Sequence, residues 1–470
     1  MARRRTAGTA ARKSSAADRG SNPYAPIFKG LPRGPHGLDP QQVERHQRAR
    51  LHLAMIEAVL ASGYQGATVK QVIGLAGVSR RSFYEMFSDK QGCYLATADL
   101  IAAGIVKRID DAHRPSGEDL DDLTAALGEL AAAVVGDPKG ANFLFVTTQT
   151  AGAPGLMRLH RAMLNIEQVL ASCLTDAVDP TLPPRPVLRA IVGGLAGIIG
   201  SWLRKPPSGD PSRLTKRLLA WTSLYLSPST ASVTQSATAG SLASGRRGSR
   251  ISNTTQENST ATPSTGERQR LLDRILALAV ETDYRSLSVV EIADEASVRV
   301  DTFFELFESK DACFQAGLDM VCDQLRSRVG DGSLHDAEWP QAVLTAIGEL
   351  LGYLSEHPTY TSAITTEAPA IVPTPLDRHL VLARELASLL IASAPNNTNR
   401  PVVSEGIAGA LWHTIQYHVV AGKIAQLPTL KNYLSFIVLA PFLGAQPALA
   451  FLTERRHVGE PRQISKTSPP

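Results

Sequence analysis

Two adjacent arginines, Arg80 and Arg81, follow directly on a serine in the stretch GVSRRSFYEMFSDK, Gly77 to Lys90. Ser79 is a good helix N-cap, and the pattern predicts a short helix from there through Phe87. Cationic side chains in a first turn gain nothing from the helix dipole, which favours anions at that end. Guanidinium groups placed against that preference suit an external anion, either phosphate or the acceptor edge of guanine. Thr68, Ser79, Ser82 and Tyr84 offer hydroxyl donors to the same partner, and Lys90 offers a further cation. Phe83 and Phe87, four apart, are read as packing inward. The chemistry on offer is the binding of a polyanion rather than the making of bonds.

Motifs for other chemistry are missing. There is no nucleophile elbow, P-loop or dinucleotide fingerprint, so no enzymatic activity and no cofactor are indicated. The 11 histidines show no HExxH spacing, and no metal site is inferred. Cys93, Cys173, Cys313 and Cys322 are scattered without a CxxC pair, as in a reduced, cytoplasmic protein. The apolar run 190–203 is read as too short to span a bilayer, and 434–452 is broken by Pro441 and Pro447. No membrane partner is expected.

The elements that must position Arg80 and Arg81 are legible from their boundaries. Asp39-Pro40 predicts the start of a first helix, with Leu51, Met55, Ile56, Val59 and Leu60 forming one apolar stripe and Gly63 ending it. Thr68 is expected to cap a second helix through Ala76, Gly77 to make the turn, Ser79 to cap the third and Ser88 a fourth. Two short helices joined by such a turn form a helix-turn-helix, whose second helix enters the DNA major groove N-terminal end first.

The chain then repeats itself. Arg50–Tyr64 (RLHLAMIEAVLASGY) lies over Arg270–Tyr284 (RLLDRILALAVETDY) at an offset of 220. At that offset Val69, Ala76, Val78, Phe83, Glu85, Phe87, Lys90, Cys93 and Ala96 each meet an identical residue. Further on the register slips, and Gly194-Leu-Ala-Gly197 resembles Gly406-Ile-Ala-Gly409. So long a period means two copies of a whole domain. Between them, Ser227–Gly266 holds 18 Ser or Thr among 40 residues, the composition of a flexible linker. The expected organisation is a basic arm over 1–38, a helix-turn-helix domain over 39–96 and a helical domain over 97–226. The linker follows over 227–266, then a second helix-turn-helix over 267–316, a second helical domain over 317–454 and a tail over 455–470.

The stretch GATVKQVIGLAGVSRRSFYEMFSDK, within Ala49–Leu100, resembles the N-terminal helix-turn-helix of the TetR family of transcriptional regulators. The resemblance implies an all-α fold of two tandem TetR-like units, each with a three-helix DNA-binding domain and a helical ligand-binding and dimerisation domain. It implies a sequence-specific, ligand-responsive repressor whose partners are a double-stranded DNA operator and a small hydrophobic effector. The family's DNA contacts carry over to Thr68, Ser79, Arg80, Arg81, Ser82, Tyr84 and Lys90. In the family, the last two helices of each subunit form a four-helix bundle. Here Arg189–Leu203 and Arg213–Leu226 would pair with Val402–Val420 and Thr429–Leu443. The expected assembly is an intramolecular pseudo-dimer, with a homodimer of chains as the alternative. Gly193, Gly194, Gly197 and Gly200 would let a partner helix come close. Phe143, Phe145, Met157 and Met163 are candidates to line an effector pocket.

The second copy departs from the pattern. Ser297 replaces the turn glycine, Phe304 the tyrosine, and Val300 with Asp301 the arginine pair. Over 47–96 there are 6 Lys/Arg against 3 Asp/Glu, a net of +3; over 267–316 there are 6 against 11, a net of −5. Phosphate contact needs cations, so the second copy is expected to bind DNA weakly at most, through Arg299, Thr302 and Lys310. Such a unit also suits another role, a ligand-sequestering or protein-interaction module that kept the regulator's shape.

Overall fold

The computed structural model describes residues 39–112, 119–173, 184–205, 209–226, 265–330, 338–371, 378–395 and 400–458. The expected arm over 1–38, nearly all of the linker and the end of the tail lie outside them. Every regular element among the described residues is helical.

The first unit opens with α1 (Pro40–Gly66), α2 (Val69–Ala76), α3 (Arg80–Met86) and α4 (Lys90–Ala112). The caps are mostly those expected. Asp39 accepts from the Gln41 amide at 3.3 Å, Thr68 from Gln71 at 3.2 Å and Ser79 from Ser82 at 3.0 Å. The regular helix of α1 breaks at Gly63 (φ 70°, ψ 164°), where its end was expected, and a separate turn runs on to Gly66. One boundary differs. α4 is capped by Asp89 rather than Ser88, through the Gly92 amide at 2.6 Å, just as Ser309 holds the Ala312 amide in the second copy. Either side chain accepts well at this position; only the observed backbone decides between neighbours.

α5 (Asp119–Gly136), α6 (Pro138–Phe145), α7 (Gly152–Ser172), α8 (Pro184–Leu203) and α9 (Pro211–Thr222) complete the unit. The second unit repeats the order with α10 (Thr265–Glu281), α11 (Val289–Glu295), α12 (Val300–Leu306), α13 (Lys310–Gly330) and α14 (Trp339–Glu356). Then come α15 (Pro358–Ser362), a π-helical turn over Ala363–Glu367, α16 (Ala368–Ile371), α17 (Arg378–Leu390), α18 (Arg400–Val420), α19 (Lys431–Leu443) and α20 (Ala445–Val458). α10 starts inside the expected linker, and α20 runs beyond the expected boundary at 454. Phe83 and Phe303, equivalent in the repeat, are both fully buried.

α8 crosses α18 in backbone-to-backbone contact. A Cβ built on Gly197 would lie 2.6 Å from Gly409 Cα and 2.8 Å from the Glu405 carbonyl; one on Gly409 would lie 2.6 Å from Gly197 Cα and 2.8 Å from the Gly193 carbonyl. The two sets exchange under the 212-residue offset read from the sequence. Trp221 fills the slot beside the crossing, where its ring leaves no room for a Cβ at either Gly194 or Gly406, and its indole donates to the Ile191 carbonyl at 2.9 Å. The Tyr225 hydroxyl donates to the Ile437 carbonyl at 3.0 Å. The segment Pro186–Leu203 is apolar over 18 residues, a membrane-spanning length that starting at Ala190 had concealed, but 72% of it is buried against protein.

Behind α1, the buried His52 ring donates through Nδ1 to Thr97 Oγ1 at 2.8 Å, because the Thr97 hydroxyl proton is already given to the Cys93 carbonyl at 2.7 Å. Burial, with a smaller contribution from the Arg48 charge, lowers the His52 pKa to about 4. Between pH 6.5 and 4 the unfolded chain binds a proton that the folded chain refuses, so stability falls as pH falls through this window. The expected loss is about 2–3 kcal/mol. Thermal melts at pH 7 and 4.5 should show it, and His52→Gln should reduce the dependence by its own share, a second histidine lowered by burial, His160, contributing in the same window.

Candidate nucleic-acid interface

The turn between α2 and α3 sets the direction of α3. Gly77 is left-handed (φ 59°, ψ 40°), and the Val78 amide closes on the Ile73 carbonyl at 3.1 Å. The Arg50 guanidinium lies beneath, 2.5 Å from where a Cβ on Gly77 would sit. In the second unit the same bend is made by Ser297 at φ 54°, with Arg270 Nε donating to the Ala296 carbonyl at 3.1 Å. A side chain in this conformation is disfavoured, so Gly77→Ala should cost about 1–2 kcal/mol. Chemical denaturation of the full chain would measure it.

α3 carries a polar, cationic face to solvent. Thr68, Ser79, Arg80, Arg81 and Tyr84 are exposed, and Ser82 is half-buried. Arg81 is 89% exposed, tied only to Glu85 one turn on at 2.9 Å. Such a surface pair is worth about 0.3–0.5 kcal/mol, little against an incoming phosphate. The Arg80 guanidinium stands over the Tyr84 ring at 5.7 Å. Ser79 and Ser82 share a hydroxyl hydrogen bond at 2.8 Å, which with the cap fixes the first turn. Lys70, exposed in the first turn of α2, is a cation the sequence reading left out. Its signal is the repeat, since Val290 stands in its place in the second copy.

Lys90 has internal work. Its ammonium donates to the Tyr64 carbonyl at 2.9 Å and lies 4.3 Å from the Tyr64 ring centre. Burial, and secondarily the charge of Arg285, lowers its pKa. It pins α4 to the end of α1, with one of its three protons given to that carbonyl.

The second copy's candidate contacts need correction. Thr302 is buried within α12 and does not reach solvent. Lys310 donates to three carbonyls, those of Tyr284 at 3.0 Å, Arg285 at 3.3 Å and Leu287 at 2.8 Å, which uses every proton of the ammonium. Only Arg299 is exposed. Where the first unit presents Lys70, Arg81 and Tyr84, the second presents Val290, Asp301 and Phe304, with Phe304 56% exposed.

Among the described residues, cavities lie away from this face, two of them sizeable. One, of about 340 Å³, lies between α1, α4, α5 and α6, with Leu53, Ile56, Leu100 and Ile101 in its wall. The other, of about 410 Å³, lies between the units. Of the four expected lining residues, Phe143 and Phe145 are buried in the core, Met157 is exposed, and Met163 lines the inter-unit cavity.

Residues 271–316 match the family model described as "Bacterial regulatory proteins, tetR family". The match falls on the acidic copy, so its apolar framework is that of the family although its exposed face is not cationic. No curated protein matches the chain. Among solved structures, the transcriptional regulator FadR from Bacillus subtilis in complex with stearoyl-CoA is 15% identical over 37% of this chain and 96% of its own, with a TM-score of 0.34. FadR from Bacillus halodurans is 16% identical over 37% and 96%, at 0.35. A structure described as a TetR-family transcriptional regulator, from Mesorhizobium loti, is 18% identical over 38% and 96%, at 0.31. The likeness to the tetR family therefore rests on residues 271–316, one helix-turn-helix within an all-helical set of described residues.

Proposed function

We propose that the protein is a ligand-responsive transcriptional repressor acting in the cytoplasm, which reads an operator mainly through Thr68, Ser79, Arg80, Arg81, Ser82 and Tyr84 of the first unit. One observation carries this reading. Two exposed guanidinium groups stand side by side at the tip of α3, while the equivalent tip of α12 is Val300 and Asp301. In this reading the units act as a pseudo-dimer within one chain, joined through the α8–α18 crossing, and the operator is asymmetric because only one half-site is read strongly.

The response to a ligand has a physical basis in the 340 Å³ cavity. α1 belongs to the DNA-reading domain and α4 to the helical domain behind it. An apolar effector wedged between them favours a position of α1 that the DNA-bound state does not share, and so releases DNA by population shift. A module that binds a protein or sequesters a ligand remains the second reading for the second unit, favoured by its exposed Val290 and Phe304.

Selection of bound duplexes from a random pool tests the proposal. A single half-site motif without a palindromic repeat is the expected result. Enrichment of a symmetric palindrome would overturn the asymmetry, and no enrichment at low salt would overturn DNA reading altogether.

A further inference from the structure

The cavity between the units, about 410 Å³, falls within the about 300–1,000 Å³ typical of small-molecule sites. Its walls come from both halves of the chain. Arg189 and His160 belong to the first unit; Tyr417, His418 and Tyr433 belong to the second. Met163, Pro186 and Leu430 supply apolar wall between them, and no carboxylate is among the lining residues.

The polar groups are arranged for one kind of guest. His160 stacks on Tyr417 with ring centres 3.9 Å apart and planes 22° apart, which makes a flat aromatic surface. Burial, helped by the Arg189 and His418 charges, lowers His160 to a pKa of about 4, so the ring is neutral near pH 7. Arg189 is half-exposed and held loosely, its Nε 3.5 Å from Glu167. The Tyr433 hydroxyl is buried beside Thr414 with no hydrogen-bond partner of good geometry, an unusual state for a buried donor. Burial raises its pKa and keeps it protonated. The His418 ring donates through Nδ1 to the Thr414 carbonyl at 2.9 Å. Among the described residues no three His, Cys, Asp or Glu side chains are grouped to hold a metal ion.

The residues that line the cavity differ from their equivalents across the crossing. Under the 212-residue offset, Gly193 corresponds to Glu405, Arg189 to Pro401, His413 to Ser201 and Tyr417 to Lys205. On the opposite side Glu405 reaches into the space and pairs with Arg217 and, at 3.4 Å, with Lys205. Trp202 and Lys205, the equivalents of Thr414 and Tyr417, line a different hollow of about 230 Å³ shared with α1, α5 and α6 of the first unit. The aromatic and cationic groups that line the cavity are therefore not repeated at the equivalent positions.

We propose that the inter-unit cavity binds one small aromatic carboxylate per chain, its carboxylate on Arg189 and the Tyr433 hydroxyl and its ring against the His160–Tyr417 surface. The guest bridges α8 of one unit to α18 and α19 of the other, and so sets how the two units sit at their crossing. The proposal rests on the ligand-response reading for its regulatory meaning but not for its binding chemistry.

Calorimetric titration of the full chain with benzoate and 2-naphthoate, and with benzamide and 2-naphthamide as neutral counterparts, tests it. The expected result is saturable binding of at least one acid at one equivalent per chain, with its amide at least tenfold weaker. Arg189→Gln should weaken the acid by about 10- to 100-fold, the loss of one charge-assisted hydrogen bond. Tyr433→Phe should weaken it by about 2- to 10-fold, the loss of one hydrogen bond. Arg189 is half-exposed, so the variant should fold, and its unchanged melting temperature is the control. No saturable binding of either acid at millimolar concentration, two equivalents per chain, or equal affinity in Arg189→Gln would each overturn the proposal. Acid binding by a chain that selects no duplex would leave this site standing and remove the regulator reading. Duplex selection without acid binding would do the reverse.

Discussion

Arg80→Ala combined with Arg81→Ala is expected to abolish specific DNA binding, at a cost of about 2–6 kcal/mol, from two base or phosphate contacts at about 1–3 kcal/mol each. Arg299→Ala should leave affinity within about twofold, since one exposed cation in an acidic surround contributes little. The double variant should remain folded. Both side chains are exposed, the Arg81–Glu85 pair is weak, and removing positive charge from a first turn relieves the helix dipole. A gel shift with the selected duplex, run beside a thermal melt, separates lost contact from lost fold. The logarithmic salt slope should become shallower by up to about 2, one counterion for each phosphate contact removed. Equal losses from Arg299→Ala and from the double variant would sink the claim that the first unit dominates.

Gly197→Leu is expected to have the largest effect on the assembly. Its Cβ would stand 2.6 Å from Gly409 Cα and 2.8 Å from the Glu405 carbonyl, and both of these are backbone. No rotamer relieves such a clash; the helices must move apart. Overpacking typically costs about 1–3 kcal/mol, and a clash with backbone lies at or beyond the upper end. Separation also uncovers the apolar face of α8. The expected readouts are a second, earlier thermal transition and rapid cleavage by protease between the units. Gly128→Ala is the matched control: it lies inside α5 with nothing within 4 Å of its Cβ position, and should be neutral or stabilising by up to about 1 kcal/mol. A single unshifted transition in Gly197→Leu would show that the crossing does not hold the units together.

The helix-turn-helix could be read from sequence because its determinants are local. Thr68, Gly77 and Ser79 specify their caps and turn within a few residues, whatever the rest of the chain does. The exposed Arg80–Arg81 pair was legible for the same reason, as a first turn points away from the body that Phe83 anchors. Lys310 and Thr302 could not be read in this way. Whether an ammonium faces solvent or the carbonyls of Tyr284, Arg285 and Leu287 depends on residues more than twenty positions away. The side of α12 on which Thr302 falls depends on the roll of a seven-residue helix, too short to show a clear period. The inter-unit cavity was out of reach altogether. Its walls come from both halves of the chain and meet only because α8 and α18 cross; the difference between Gly193 and Glu405 likewise acquires meaning only there.

That difference also bears on which halves can associate. Glu405 finds both its cations, Arg217 and Lys205, in the other unit. Two first halves brought together would set Arg217 and Lys205 of each against a glycine, and two second halves would leave each Glu405 stranded without either cation. Glu405 and Arg217 are only partly exposed, so a lone Glu405 there would lose its compensating charge without regaining full hydration. The contact therefore works as a heterotypic key: severed halves should recombine as unlike partners, and an incoming copy of the cationic half should fail to displace the acidic one.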